Sequence, residues 1–526
     1  MRSASDYRKI LLPLLLFSLA MALYCHTLAP TITWRHDGYD AGDLITAAYT
    51  LGIPHPTGYP TYMLLGRAFT LLPLGDVAYR MNLLSAFCAS VTVALLHLTA
   101  TLSIRPHRYA GIASTAAALL LATSRIFWSQ ALITEVYALQ SLFFTVTLYL
   151  ALLLGKRLLD TGTRPADCES ILRILLLLTL AYGLSLGNHL TILFSAPFLI
   201  YQGALLFRTR LLTAPQWLQA VTTFLLGLAV YVYLPLRAGS EALPNWGNPQ
   251  TPRGFIWLVS GGIYRHYILA LPLAHWPRRL VAWAGLLGQQ FGVGGTALGL
   301  IGIWTHFKRN PRQFAGLLFT LTLYSLYAVG YNVTDSYVYL LPVYVLFALW
   351  IAHGVQWFLE TFVPVRNKWS RPIALLLSSL ALLLPAALAL TNLPEVDLSD
   401  DYAAYEYGSQ VFAQAPAGSI VVSAADPHTF TLWYFARVVH DRWDIALIDR
   451  DLLPYDWYLD GLRRAYPWLQ LSASLRAPIS VEELLEAKRQ IHPIFLTDPD
   501  TEMAQHYAFE QQGILYRLVE PTGSSP

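Results

Sequence analysis

Charge is the scarcest property of this sequence. Only 13% of its 526 residues are Asp, Glu, Lys or Arg, about half the share that a soluble domain carries. An aqueous globule is excluded on that ground. Cysteine is rarer still: Cys25, Cys88 and Cys168 are too few and too scattered for a disulfide framework or a thiolate metal site. Cys25 and Cys88 stand in apolar surroundings and read as buried, inert thiols. HExxH, GxSxG, P-loop and CxxC motifs are all missing, so no metal site is assigned. The net charge of +3 gives no ground for a nucleic-acid partner, and none is expected.

What the chain has in abundance is long apolar runs. The first, 10–29, follows the basic start "MRSASDYRK". It exceeds a typical signal-peptide core and ends without a small-x-small cleavage site, so a retained span is expected. Further runs lie near 80–103, 109–126, 132–154, 171–187, 189–206, 215–236, 283–305, 313–331, 338–358 and 372–391, making eleven spans with no internal repeat. With the N-terminus inside, every inner segment is basic. They carry Arg2, Arg8 and Lys9; Arg105 and Arg108; Lys156, Arg157, Arg164 and Arg173; Arg208 and Arg210; Lys308, Arg309 and Arg312; Arg366, Lys368 and Arg371. The positive-inside bias therefore predicts a cytoplasmic N-terminus, with 30–79, the loop around 237–282 and the tail outside. The fold class expected is a mainly α polytopic helical bundle, 1–391. A small extracytoplasmic α/β domain, 392–526, follows it. There "GSIVVSAAD" and "HPIFLTD" read as strands, and "PISVEELLEAKRQ" as a helix started by Ser480.

Polar residues collect on the outer side. In "WRHDGYDAGDLITAAYTLGIPHPTGYP" the order Asp40, Asp43, Gly52 matches a helix N-cap, a first-turn acid and a stop. Capping alone would explain both acids; a fixed, ionised carboxylate is equally what a base requires. The prolines of "GIPHPTGYP" hold His55 and Tyr59 on an extended segment, either a lid or the wall of a groove. "TYMLLGRAFTLLPLG" reads as a short interfacial helix. Glu135 is placed one turn inside the fourth span, where an unpaired carboxylate costs a few kcal/mol and needs a cavity or partner. Asn188 and His189 sit at an outer turn, and Arg237 ends a span ahead of a loop holding Trp246, Arg253, Arg265 and His266. Arginine suits phosphate by its fork, although snorkelling to headgroups is the competing reading. Carboxylates with cations and no metal triad suit chemistry on a lipid-linked phosphate.

The blocks "DAGDLITAAYTLGIPHPTGYPTYMLLGR", "YRMNLLSAF", "FWSQALITEVYAL", "GLSLGNHLTIL", "YLPLRA…NWGNP" and "DPHTFTLWYF…LLPYDWYLDGL" resemble, in order, a family of multispanning proteins similar to the GT-C glycosyltransferases. Its animal members are protein O-mannosyltransferases. The resemblance implies transfer of a sugar, mannose-type hexose favoured, from a polyprenyl-phosphate carrier to a protein or glycan hydroxyl outside the membrane. It places the first-loop acid on Asp40 and the second acidic position on Glu135. This chain reads Asp40-Ala41-Gly42-Asp43 where the family usually has Asp-Ser-Gly-Glu, and Asn188-His189 where related transferases often have Lys. The expected catalytic residues are Asp40, Asp43 and Glu135. The expected substrate contacts are His55, Tyr59, Asn188, His189, Arg237 and Trp246. No cofactor is assigned, a divalent metal is left open, and the partners are the donor lipid, the acceptor and membrane lipid. A lipid-sugar transporter or a membrane scaffold are the rival readings.

Overall fold

The computed structural model describes residues 4–160, 168–240, 243–364, 368–472, 475–498 and 503–519. Arg2, Arg164 and Arg366 lie outside the described residues. Among these, ten helices are long and apolar enough to cross a membrane, from Ile10–Thr27 to Ser370–Val396. An eleventh, Ala110–Ala122, has 13 residues and spans about 20 Å.

Its contacts show that this short helix nevertheless joins the two ends of the bundle. In the turn that leads into it, Gln356 donates to the Arg105 carbonyl (2.8 Å), and Ser103 Oγ, at the end of the preceding helix Val77–Ser103, lies 2.9 Å from His353 Nε2. At its far end, Tyr24 donates to the Ala122 carbonyl (2.9 Å) and Asn392 to that of Thr123 (2.8 Å). A short helix is tolerated where neighbours cover it, and most of its residues are buried. The bundle of described residues thus has ten long apolar helices and one short one. The end holding Arg105, Arg108, Lys308 and Arg309 is the basic face; residues 28–76 cover the opposite, loop face.

Two boundaries differ from the sequence reading. The helix expected over 132–154 is Tyr137–Asp160, so Glu135 precedes the span. The chain bends at Thr123–Ser124 and makes a short helix, Arg125–Gln130, before reaching it. The expected interfacial helix is present as Pro60–Thr70. Beyond Val396 a five-stranded sheet forms: β1 (Ile420–Ser423), β2 (Ala446–Asp449), β3 (Ile494–Leu496), β4 (Ala508–Gln512) and β5 (Leu515–Val519), in the order β2-β1-β3-β5-β4. The first three are parallel, with their carboxyl ends toward the loop over the bundle; β5 and β4 run antiparallel. β1, β3 and the helix Val481–Lys488, capped by Ser480, match the sequence reading.

This unit is tied to the loop face. Leu398 donates to the Thr27 carbonyl (3.1 Å), and His36 Nε2 lies 3.1 Å from that of Val396. Trp34 Nε1 bonds the Pro427 carbonyl (3.0 Å) and Thr431 Oγ1 (2.9 Å). The helix Asp426–Tyr434 crosses the helix Ala41–Thr50 at Gly42, where a Cβ would sit 2.1 Å from the Phe430 carbonyl oxygen. Only glycine permits that approach.

Candidate active site on the loop face

The first loop turns through a 3-10 segment, Arg35–Asp40, with His36 and Asp37 in left-handed backbone conformation (φ 59° and 60°). Asp40 stands at the start of the helix Ala41–Thr50, yet its side chain makes no cap hydrogen bond. The capping expectation is corrected: the preceding turn already engages the first amide, Ala41 N–H donating to the Gly38 carbonyl. Asp40 is thereby left with a third of its side chain exposed, facing His55.

The prolines at 54 and 56 keep His55 off any helix. Its segment instead pairs with "LPNW": Ile53 N–H donates to the Pro244 carbonyl (2.7 Å), and Trp246 N–H to that of Ile53 (3.2 Å). This bridge brings His55, Trp246 and Asp43 together. Asp43, wholly buried, accepts the His55 backbone N–H (2.8 Å), the His55 Nδ1 proton (2.8 Å) and the Trp246 indole N–H (3.2 Å). His55 Nε2 lies 3.5 Å from Asp40 Oδ2. Asp43, His55 and Asp40 thus form a line from the interior to the recess. Burial alone would lower the imidazole pKa, but Asp40, Asp43 and Glu135 outweigh it and hold His55 at about 9. Burial raises the Asp40 carboxyl, and Asp43 adds to that against the pull of His55.

Tyr59 packs edge-on to His55 (5.1 Å), with Trp246 and Tyr264 on other sides (6.3 and 6.2 Å). Glu135 is buried, its turn braced by Thr134 to Asn82 (2.6 Å) and by Asn188 to the Val136 carbonyl (3.2 Å). Its carboxyl is raised by burial and then by Asp40, against His55. Asn82, from the "YRMN" block, also holds the Ala29 and Thr31 carbonyls (3.0 Å each), so one side chain joins both acidic loops.

The two expected cations are placed differently from that expectation. Burial, helped by repulsion from His55, pushes His189 down to about 4, so the imidazole is neutral. It stacks on Tyr59 (6.3 Å, 16°) and adjoins Tyr137 and Tyr339 as part of an aromatic wall. Arg237 directs Nε to the Leu51 carbonyl (2.5 Å) and Nη2 to that of Thr50 (3.1 Å), closing the end of the helix Ala41–Thr50. Trp246 is buried and orients Asp43.

Sequence reasoning missed two contributors. At the start of the helix Trp276–Arg309, His275, Arg278 and Arg279 line a cavity of about 570 Å³. A second cavity of about 400 Å³ runs from Arg279 past Trp283 and Leu286 to Tyr337. Tyr337 donates to the Asp37 carboxylate, three residues from Asp40. The doubled arginine of "HWPRRL" was the available signal. The other contributor is Asp426 of the sheet-bearing unit. Burial and then repulsion from Asp40, opposed by His55, raise its carboxyl to about 6. Among the described residues, no three His, Cys, Asp or Glu side chains are arranged to hold a metal ion.

Fold and site define a class: a polytopic membrane protein of GT-C architecture, with a carboxylate–imidazole–carboxylate line on its loop face. Residues 40–211 match the model of the protein O-mannosyl-transferase TMEM260 N-terminal domain, and 404–520 match TMEM260-associated domain 2; the chain belongs to this family. It is 28% identical over 461 residues to protein O-mannosyl-transferase TMEM260 of Mus musculus, covering 84% of this chain and 63% of that protein. The Dictyostelium discoideum protein O-mannosyl-transferase tmem260 is 23% identical over 529 residues, with 92% and 63% covered. The chain therefore spans under two thirds of the length of these relatives. Among solved structures, ArnT from Cupriavidus metallidurans bound to undecaprenyl phosphate superposes with a TM-score of 0.60 at 10% identity, covering 98% of both chains. The Archaeoglobus fulgidus oligosaccharyltransferase gives 0.51 at 12% identity, covering 99% of this chain and 75% of its own. These two likenesses are of fold.

Proposed function

We propose that this chain is a membrane glycosyltransferase that moves a hexose, mannose by its relatives' names, from a polyprenyl-phosphate carrier to a polypeptide hydroxyl on the extracytoplasmic face. The observation that carries the reading is His55 held between buried Asp43 and accessible Asp40. It is what a base needs: a carboxylate open to substrate, with a fixed positive neighbour that favours its ionised form.

In this reading Asp40 takes the proton of the acceptor hydroxyl. That oxygen attacks the sugar's anomeric carbon from the face opposite the carrier, and the carbon–oxygen bond to phosphate breaks. The electron pair leaves on the phosphate, and the configuration inverts. Asp43 and Trp246 position His55. Glu135 accepts from a sugar hydroxyl. Arg279 replaces His189 and Arg237 as the phosphate contact. Its guanidinium bonds Ser336 Oγ (2.7 Å) and the Val333 carbonyl (2.9 Å), leaving other N–H groups for an anion. The apolar cavity beyond it takes the first isoprene units. The basic face is cytoplasmic, the loop face and sheet-bearing unit are outside, and the host is the cell membrane.

Mass spectrometry of glycoproteins and lipid-linked sugars, in cells with and without the gene, tests this. One glycan should disappear while its carrier lipid accumulates; unchanged glycans and carrier would reject the enzyme reading.

A further inference from the structure

Beside the acidic line lies a cavity that the reaction does not use. It measures about 60 Å³ and sits between residues 243–246 and the helix Asp456–Ala465. Its aromatic walls include Trp246, Trp433 and Trp457, and its one charged lining residue is Arg437. Arg437 is buried and stacks over Trp443 (3.5 Å). It donates to the Arg442 carbonyl (2.9 Å) and the Tyr466 hydroxyl (2.8 Å).

Three features suit this cavity to a polypeptide. First, two lining residues each keep a buried polar atom without a partner among the described residues, the acceptor Asn245 Oδ1 and the donor Trp457 Nε1. Both atoms are sealed from water, so a peptide unit, with its one N–H and one C=O, meets them as these side chains shift on binding. Second, the space of about 60 Å³ exceeds the roughly 10–15 Å³ that a water needs by such a measure, and its mostly apolar lining suits an aliphatic side chain better than a sugar ring. Third, Gly461 lies within the helix Asp456–Ala465, where glycine costs about 1 kcal/mol relative to alanine. A Cβ there would meet nothing within 4 Å, so the glycine keeps space open. Trp246 is shared with the acidic line, since its indole holds Asp43. Its ring centre lies 6.3 Å from that of His55, a separation an extended chain covers in about two residues.

We infer that this cavity is an acceptor subsite, taking an aliphatic side chain of the polypeptide close to the residue that receives the sugar. The inference rests on the glycosyltransferase reading above. It makes the sheet-bearing unit and the 243–246 segment joint readers of acceptor sequence.

The probe is a set of hexapeptides with one threonine and alanine elsewhere, a single valine being moved through the flanking positions. Transfer from mannosyl polyprenyl phosphate and equilibrium binding to the full chain in nanodiscs are measured separately. One register of valine should lower KM at least tenfold against the all-alanine peptide, and Gly461→Leu, which fills the cavity, should cut that advantage below twofold. Ala465→Leu fills the cavity from the next turn and is read the same way if the first variant does not fold. A register-independent KM, an advantage that survives both substitutions, or a rise in donor KM alone overturns the assignment. If the unaltered chain transfers to no peptide yet binds them with the register dependence, the transferase reading falls and the subsite stands. Absence of both transfer and register-dependent binding rejects the subsite.

Discussion

Asp40 separates two explanations of the same residue. A cap contributes about 1 kcal/mol, and asparagine supplies it equally well; removing a general base lowers rate about a hundred- to ten-thousandfold. Because Asp40 makes no cap hydrogen bond, Asp40→Asn should keep its thermal stability and donor binding while transfer falls at least a hundredfold, as read by single-turnover assay. Near wild-type transfer would move the base to Glu135 or Asp426. His55 gives a pH signature. Its pKa rises from the ordinary 6.5 to about 9 on folding, so its contribution to stability is complete below pH 6.5 and is lost as pH climbs through 9. The Tm in nanodiscs should decline over that window, and His55→Gln should flatten the decline; parallel curves would show that His55 does not titrate there. For the donor, Arg279→Ala should raise KM more than Arg279→Lys, which keeps the charge but loses the fork; equal KM values in all three proteins would remove Arg279 from the donor site. The sequence displayed Asp40, Asp43 and His55 within 16 residues. It did not display their line, which depends on a bridge between Ile53 and Asn245. Nor can composition reveal that His189 is desolvated or that the Arg237 fork is taken up by carbonyls.

Local signals were legible at the scale of elements, and their pairings were not. Ser480 followed by acids announced a helix, and the apolar runs of β1 and β3 announced strands. β2, "ALID", was hidden by the charged and aromatic residues that flank it, and the polar "AFEQQ" of β4 carries no clear alternation. The crossing of the helices Ala41–Thr50 and Asp426–Tyr434 joins segments almost 400 residues apart, and a lone glycine is its only trace. That crossing is testable. Gly42→Ala forces a methyl into the Phe430 carbonyl, 2.1 Å away, and overpacking of this kind costs about 1–3 kcal/mol. Gly111→Ala, where a Cβ meets nothing within 4 Å, gains roughly 0.5–1 kcal/mol from helix propensity. Thermal unfolding should therefore separate the two in opposite directions, and Gly42→Ala should also lower transfer because the same crossing sets Asp426 against Asp40. Equal Tm values for the two variants would show that the sheet-bearing unit is not seated on this helix.

For the whole molecule, the side on which the site works depends on one short helix. Ten long helices alone would return the tail to the side of the N-terminus, whereas Ala110–Ala122 as a further pass places it opposite. Hydrophobic length argues against a crossing, because about 20 Å of helix does not match about 30 Å of hydrocarbon. The contacts around that helix argue for one, since the turn that leads into it meets Gln356 and its end meets Tyr24 and Asn392. Charge agrees with the contacts: the basic segments fall on one face only if this helix crosses, and moving them outward opposes the positive-inside bias. Alkaline phosphatase fused after exposed Asp400 should therefore be active. The same reporter fused after His107, ahead of the short helix, should be inactive, because that loop belongs to the basic face. Activity after both positions would mean that Ala110–Ala122 turns back within the bundle. The sheet-bearing unit would then share a side with His107, and Asp40 could not serve an extracytoplasmic acceptor.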